Sequence, residues 1–203
     1  MKIIDVDRAT FNELDPTRRI IDAPHAHRFA IVHLDSFGDY GLAWNSTLIE
    51  PSITPVADST LWLGVDENLV VLDLNYGRVL VALPLHYPLF EIVEVGSAIV
   101  VITELEVLVF NQNGSLRFTE GLPDIATNWS FQDEQMSIEL LDKSRLRLDL
   151  QSGKVLSAPS AFVKNALNSD RSSPHFPAPE LRKQSTVLHH SLKHLPQHAV
   201  IAL

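Results

Sequence analysis

Three glycines, Gly77, Gly114 and Gly153, divide the chain at intervals of 37 and 39 residues, and each closes a short polar turn. Eleven residues before each glycine stands a polar residue: Asp66, Thr103 and Asp142. Between that residue and the glycine runs an apolar, strand-like stretch. Self-similarity at a fixed period of this length marks stacked copies of one supersecondary unit, which restricts the chain to a small set of repeat architectures.

Aligned on the glycines, the residues seven, five and three positions upstream are Val70, Leu72 and Leu74, then Val107, Val109 and Asn111, then Leu146, Leu148 and Leu150. Eight of these nine are apolar, at period two, which is the pattern of a strand with one buried face. Val70, Leu72, Val107, Val109, Leu146 and Leu148 are therefore the expected core positions of equivalent strands. A second strand repeats after each glycine (Arg78-Val79-Leu80, Ser115-Leu116-Arg117, Lys154-Val155-Leu156). A third repeats before each stretch (Leu61 to Val65, Ala98 to Ile102, Ser137 to Leu141).

The connections carry hairpin chemistry. Asp66-Glu67-Asn68 and Asp142-Lys143-Ser144 are short polar links. Asn75-Tyr76-Gly77, Gln112-Asn113-Gly114 and Gln151-Ser152-Gly153 place glycine where a tight turn of type I′ or a related type needs positive φ. A further strand precedes each triplet at Phe90 to Val95 and at Asn128 to Phe131. Ile53 to Val56 fits the same place in the first unit, with Pro55 suiting an edge. Four antiparallel strands per unit is the composition of a β-propeller blade.

The stretches Leu72-Asp73-Leu74-Asn75-Tyr76-Gly77-Arg78-Val79-Leu80 and Leu148-Asp149-Leu150-Gln151-Ser152-Gly153-Lys154-Val155-Leu156 resemble the L-D-x-x-T-G-K-x-L-W element of β-propeller repeats. Those repeats occur in the pyrroloquinoline-quinone-type and WD-repeat-like superfamilies. The resemblance spans about residues 53–157 and implies blade architecture rather than a chemistry. The tryptophan that ends the element is missing from all three units and no Trp-Asp dipeptide occurs. No cofactor-binding position matches, so no cofactor is expected.

The fold class expected is thus all-β, with antiparallel propeller-like blades. Three are clear, and the N-terminus has room for a degenerate fourth: Phe29 to Leu34, a turn over Asp35 to Gly41, then Leu42 to Ile49. His33 falls there at a position expected to be apolar. A four-bladed ring, an open three-bladed stack and closure by a second copy all fit these strands, and an open array needs its strand edges covered. The repeat domain is placed at 1–157. A linker rich in proline (Pro159, Pro174, Pro177, Pro179) and a C-terminal tail occupy 158–203, and the apolar Val200-Ile201-Ala202-Leu203 is expected to dock on the array or on a second subunit.

Composition bounds the function classes. The chain has 203 residues, 25 acidic against 16 basic side chains and a formal net charge of -9. An acidic surface repels phosphate backbones, so no nucleic-acid partner is expected. Lys143, Arg145 and Arg147 form a local basic group, read as a solvated sheet face. The absence of cysteine removes disulfides, thiolate metal sites and thiol nucleophiles. No signal-peptide core and no long uncharged apolar run are present, so a cytoplasmic chain without a membrane span is expected.

Candidate chemistry is sparse. His190 and His194 share a helical face beside His189 at a zinc-ligand spacing, but without the glutamate of a metalloprotease helix. His25 and His27 alternate, His33 follows on the same parity, and Asp22 or Asp35 would complete a metal or acid–base site. Carboxylates recur at hairpin tips: Asp66, Glu67, Glu104, Glu106, Asp133, Glu134 and Asp142. Because blades stack side by side, equivalent tips gather on one rim, where they solvate the edge or receive a basic partner. No nucleophile elbow, phosphate-binding loop or dinucleotide fingerprint occurs.

Two function classes follow. The first is a non-catalytic interaction or regulatory module that presents its acidic blade surface, with Asp66, Glu67, Glu104, Glu106 and Asp142, to a protein partner. Neutralising proteins of the toxin-immunity kind have comparable size and charge, and a homo-oligomer is compatible with the same surfaces. The alternative is a metal-dependent enzyme in which His25, His27 or His33 converges with a carboxylate. The first is preferred, because the residues for the second come without a motif.

Overall fold

The computed structural model describes residues 1–56 and 59–157. The proline-rich linker, the docking of Val200 to Leu203 and the histidines 189, 190 and 194 lie outside the described residues. What is described is sixteen strands in four sheets of four. The first sheet contains β1 (Lys2–Asp5), β2 (Arg19–Asp22), β3 (Arg28–Leu34) and β4 (Gly38–Trp44), in the order β1-β3-β4-β2. The second runs in sequence order through β5 (Ser52–Val56), β6 (Thr60–Val65), β7 (Asn68–Asp73) and β8 (Arg78–Pro84). The third contains β9 (Leu89–Val95), β10 (Ala98–Thr103), β11 (Glu106–Asn111) and β12 (Leu116–Gly121). The fourth contains β13 (Ala126–Gln132), β14 (Gln135–Leu140), β15 (Arg145–Asp149) and β16 (Val155–Ser157). The fold is all-β, with blade-like antiparallel sheets.

The N-terminal unit is a full fourth sheet, but an irregular one. Its β2 pairs with β4 in parallel, while the other strand pairs are antiparallel. His33 sits there without disturbing the core because alternate residues of β3 point opposite ways. Ala30, Val32 and Leu34 join the cluster shared with the second sheet, and His33 is on the other face.

Stacking the sheets face to face makes three successive apolar layers. Leu61, Leu63, Val65, Val70 and Leu72 pack on Val32, Tyr40, Leu42 and Trp44 of the first sheet. The opposite parity, Trp62, Leu69 and Val71, packs on Ile99, Val101, Leu108 and Phe110 of the third. Val100, Ile102, Val107 and Val109 then meet Met136, Ile138, Leu140, Leu146 and Leu148 of the fourth. The central strands β6 and β10 are consequently buried at every residue.

The two ends of the stack differ in kind. On the outward face of the first sheet lies a short helix, α1 (Arg8–Glu13), whose Phe11 is buried with Ala43 and Ala26. Asp7 caps that helix by accepting the Thr10 N–H at 2.8 Å. A Cβ on Gly41 would lie 2.6 Å from the Phe11 ring, so a glycine is what lets the helix lie this close. The outward face of the fourth sheet is polar: β15 reads exposed Arg145 and Arg147 between buried Leu146 and Leu148. Among the described residues no hydrophobic cluster, hydrogen bond or salt bridge joins the first sheet to the fourth.

All six expected core positions are buried, none of them more than 3 % exposed. Their common orientation is corrected. Val70 and Leu72 face the preceding sheet, as do Leu146 and Leu148, whereas Val107 and Val109 face the following one. The cause is the length of one turn. Gly77 and Gly153 donate to the carbonyls of Asp73 and Asp149, four residues back, whereas Gly114 donates to Asn111, three back. Removing one residue from the loop shifts the strand by one and reverses every side chain relative to the glycine. Leu108 and Phe110 are the true counterparts of Val70 and Leu72.

Positive φ is found at all three glycines, 62° at Gly77, 86° at Gly114 and 71° at Gly153. The turn type differs from the two-residue I′ form, which requires positive φ at both central residues. Asn113 is not left-handed, and Gly114 instead closes a three-residue loop.

Candidate interaction surface

The hairpin tips between the second and third strands of the second, third and fourth sheets share one end of the stack, and the backbone laces them together. The Leu89 N–H donates to Asp66 O and the Leu85 N–H to Glu67 O. Glu104 then donates to Pro88 O, Ala126 to Glu104 O, Leu122 to Leu105 O and Leu141 to Ile125 O. The linkers from the second to the third sheet and from the third to the fourth are thus pinned to the tips on both sides. Glu67 and Asp142 on this rim are exposed, and Glu104 and Glu106 are half-buried.

Asp66 has a different place from its neighbours. Its side chain is buried, and its carboxylate accepts the Asn45 N–H at 2.7 Å and the Ser46 N–H at 3.2 Å. It ties the first sheet to the second, with its own backbone left-handed at φ 49°. Asp133 and Glu134 belong to the opposite end, where Leu150 donates to Glu134 O beside the glycine turns. Lys143 and Arg145 also occupy the rim at the fourth sheet, where both pair with Glu139. The carboxylates of the second and third sheets therefore dominate it.

On the margin formed by the first strands, side chains bridge neighbouring sheets. Thr54 donates to Ile92 O at 2.8 Å and the Ser52 hydroxyl accepts the Ile92 N–H at 3.0 Å, covering the free edge of β9. One sheet further on, the Trp129 indole stacks on Phe90 with centroids 6.2 Å apart and planes 9° apart. Its Nε1–H donates to Glu91 Oε2 at 2.6 Å. Both strands start at the laced rim, so this pair lies just inside it. None of Phe90, Glu91 and Trp129 was singled out as a site residue in the sequence. The signal that could have found them is an aromatic at corresponding places near the start of two successive units.

The histidines do not converge. His25, at φ 60°, and His27 are exposed in the loop between β2 and β3. His33 pairs with Asp39, its cross-strand neighbour, at 2.5 Å, rather than with Asp22 or Asp35. Among the described residues no group of three or more histidines and carboxylates is placed to hold a metal ion. A cleft of about 310 Å³ lies between α1 and the β2–β3 loop, lined by Arg8, Asp22 and His25 among others. Arg8 is already committed there to the Ala26 carbonyl, at 2.7 Å. No described helix is long and apolar enough to cross a membrane.

Several carboxylates have shifted protonation, and on the rim the Ser144 hydroxyl and N–H hold the Asp142 carboxyl below its ordinary range. The Ser152 hydroxyl and N–H, at 2.6 Å and 2.7 Å, hold the Asp149 carboxyl below its ordinary range. Burial alone pushes Glu120, on β12, upward.

No protein-family model and no curated sequence matches the chain. Among solved structures, the computationally designed Ika4 protein is similar over 57 % of this chain and 75 % of its own, at 15 % identity and a TM-score of 0.47. The WD40 repeats of RRP9 are similar over 53 % of this chain, at 17 % identity and a TM-score of 0.43. U3-55K is similar over the same share, at 16 % identity and 0.43. The matches span 38 % and 39 % of those two chains.

Proposed function

We propose that the chain is a non-catalytic protein-interaction module that offers its acidic rim to a basic protein partner. The observation that supports this most is the lacing of the rim. Glu67, Glu104 and Glu106 stand on tips whose backbone is fixed by the neighbouring linkers. Charges held on rigid backbone are already in place before a partner arrives, so little ordering entropy is lost on binding. With a chain net charge of -9, the surface speeds encounter with basic partners and disfavours acidic ones.

The test is affinity capture from an extract of the native cells, using the full chain and a Glu67→Lys/Glu104→Lys/Glu106→Lys variant side by side. The expected result is a partner held at low salt, released as salt rises past the range where exposed charges are screened, and lost from the variant. Recovery of the same proteins by both chains would overturn the rim as the recognition surface.

A further inference from the structure

We infer that the Phe90–Trp129 pair with Glu91 is an arginine-binding anchor on the inner side of the rim. This rests on the interaction reading and assigns it a point of contact. The indole and phenyl rings are half-buried and nearly parallel. Glu91 is exposed, and its Oε2 is fixed by the indole N–H at 2.6 Å. Its Oε1 has no hydrogen-bond partner among the described residues. A guanidinium fits this set: it stacks on aromatic faces and donates to carboxylate oxygens in the same plane. Lysine, a hydrated point charge, uses only part of it. A half-buried tryptophan beside a preorganised carboxylate is also the kind of residue that dominates interface energetics. The occupant is thus an arginine-bearing basic segment of a protein partner.

The three tryptophans give a direct readout. Trp44 and Trp62 are 1 % and 0 % exposed, so quenching of indole emission by solutes and ligands reports Trp129. The full chain is titrated at low salt with an acetylated five-residue peptide containing two arginines, and with the same peptide carrying citrulline in their place. The expected result is a saturable change in emission, with protection from acrylamide, for the arginine peptide only. Glu91→Gln keeps an acceptor for the indole N–H but removes the charge, and should weaken binding about two- to five-fold with acrylamide quenching of the free protein unchanged. Equal responses to both peptides, no saturable response, or unaltered affinity in Glu91→Gln would each overturn the anchor. The outcomes separate the two readings. If the peptide fails while the rim variant still loses its captured partner, the anchor is wrong and the rim stands. If the peptide binds while the rim variant keeps its partner, the reverse holds.

Discussion

At the residue scale, the repeat glycines do two things. Each lies left-handed, and each sits under the preceding sheet. A Cβ on Gly77 would meet Phe37 at 3.1 Å, on Gly114 Val81 at 3.1 Å, and on Gly153 Phe118 at 3.0 Å, whereas Gly38, in the first sheet, has open space around it. Gly38→Ala should therefore carry only the backbone cost of about 1–2 kcal/mol, and Gly153→Ala that cost plus displacement of a ring. Paired denaturant melts check the difference, and equal losses would show that Phe118 moves aside freely. Asp66→Ala strands two backbone N–H groups and should cost about 1–3 kcal/mol for each left unsatisfied. The shifted carboxylates act with opposite sign. Asp149, held low, contributes stability above its ordinary value of 3.8 that is lost as pH falls through that range. Glu120, raised above 4.5, binds its proton more tightly in the folded state. It destabilises above its folded pKa and is relieved as pH falls. Glu120→Gln should raise the melting temperature at neutral pH, with the gain vanishing in acid. A gain that persists in acid would point to packing instead.

At the element scale, the position of a strand in the stack decides which of its residues matter. In β10, Ile99 faces the second sheet and Ile102 the fourth, and both are fully buried. Either one changed to alanine should cost about 2–5 kcal/mol. In β15 only one parity is covered. Leu148→Ala should cost about as much, while Arg147→Ala should stay within about 0.5 kcal/mol, since Arg147 is exposed and bonds only to Gln135 among the described residues. Chemical denaturation of the four variants is enough, and a large loss for Arg147→Ala would mean that the outward face of the fourth sheet is covered.

At the scale of the whole molecule, each core layer joins two successive sheets, which makes stability a sum of neighbouring interfaces. Phe11→Ala, under the helix of the first sheet, and Leu148→Ala, in the fourth, share no contact and should be additive within about 0.5 kcal/mol. Amide exchange should show the fourth sheet opening without the first, and a single exchange class across all four sheets would contradict a sum of independent interfaces. The same geometry bears on closure by a second copy. That arrangement would bring the helix-covered face of one chain against Arg145, Arg147 and Glu139 of the other, and neither face is the apolar layer that joins sheets elsewhere in the stack.

The sequence by itself determined the unit. Period-two apolar runs, polar tips and glycine turns are local chemistry, and each appears where a strand or hairpin forms. The burial of Val70, Leu72, Leu146 and Leu148 follows from that alternation. The sequence also held the position of each sheet in the stack, because Ala98-Ile99-Val100-Val101-Ile102 is apolar throughout while Gln135-Met136-Ser137-Ile138-Glu139 alternates. Covering both faces demands the first pattern and covering one face permits the second. Tertiary structure alone decided the rest. Which way Val107 points depended on one residue of turn length. Asp66 became a buried link rather than a rim charge because Asn45 and Ser46 arrive from another sheet. Phe90, Glu91 and Trp129, up to 39 residues apart in the chain, meet only because the first strands of adjacent sheets lie side by side, and no local pattern records a contact between sheets.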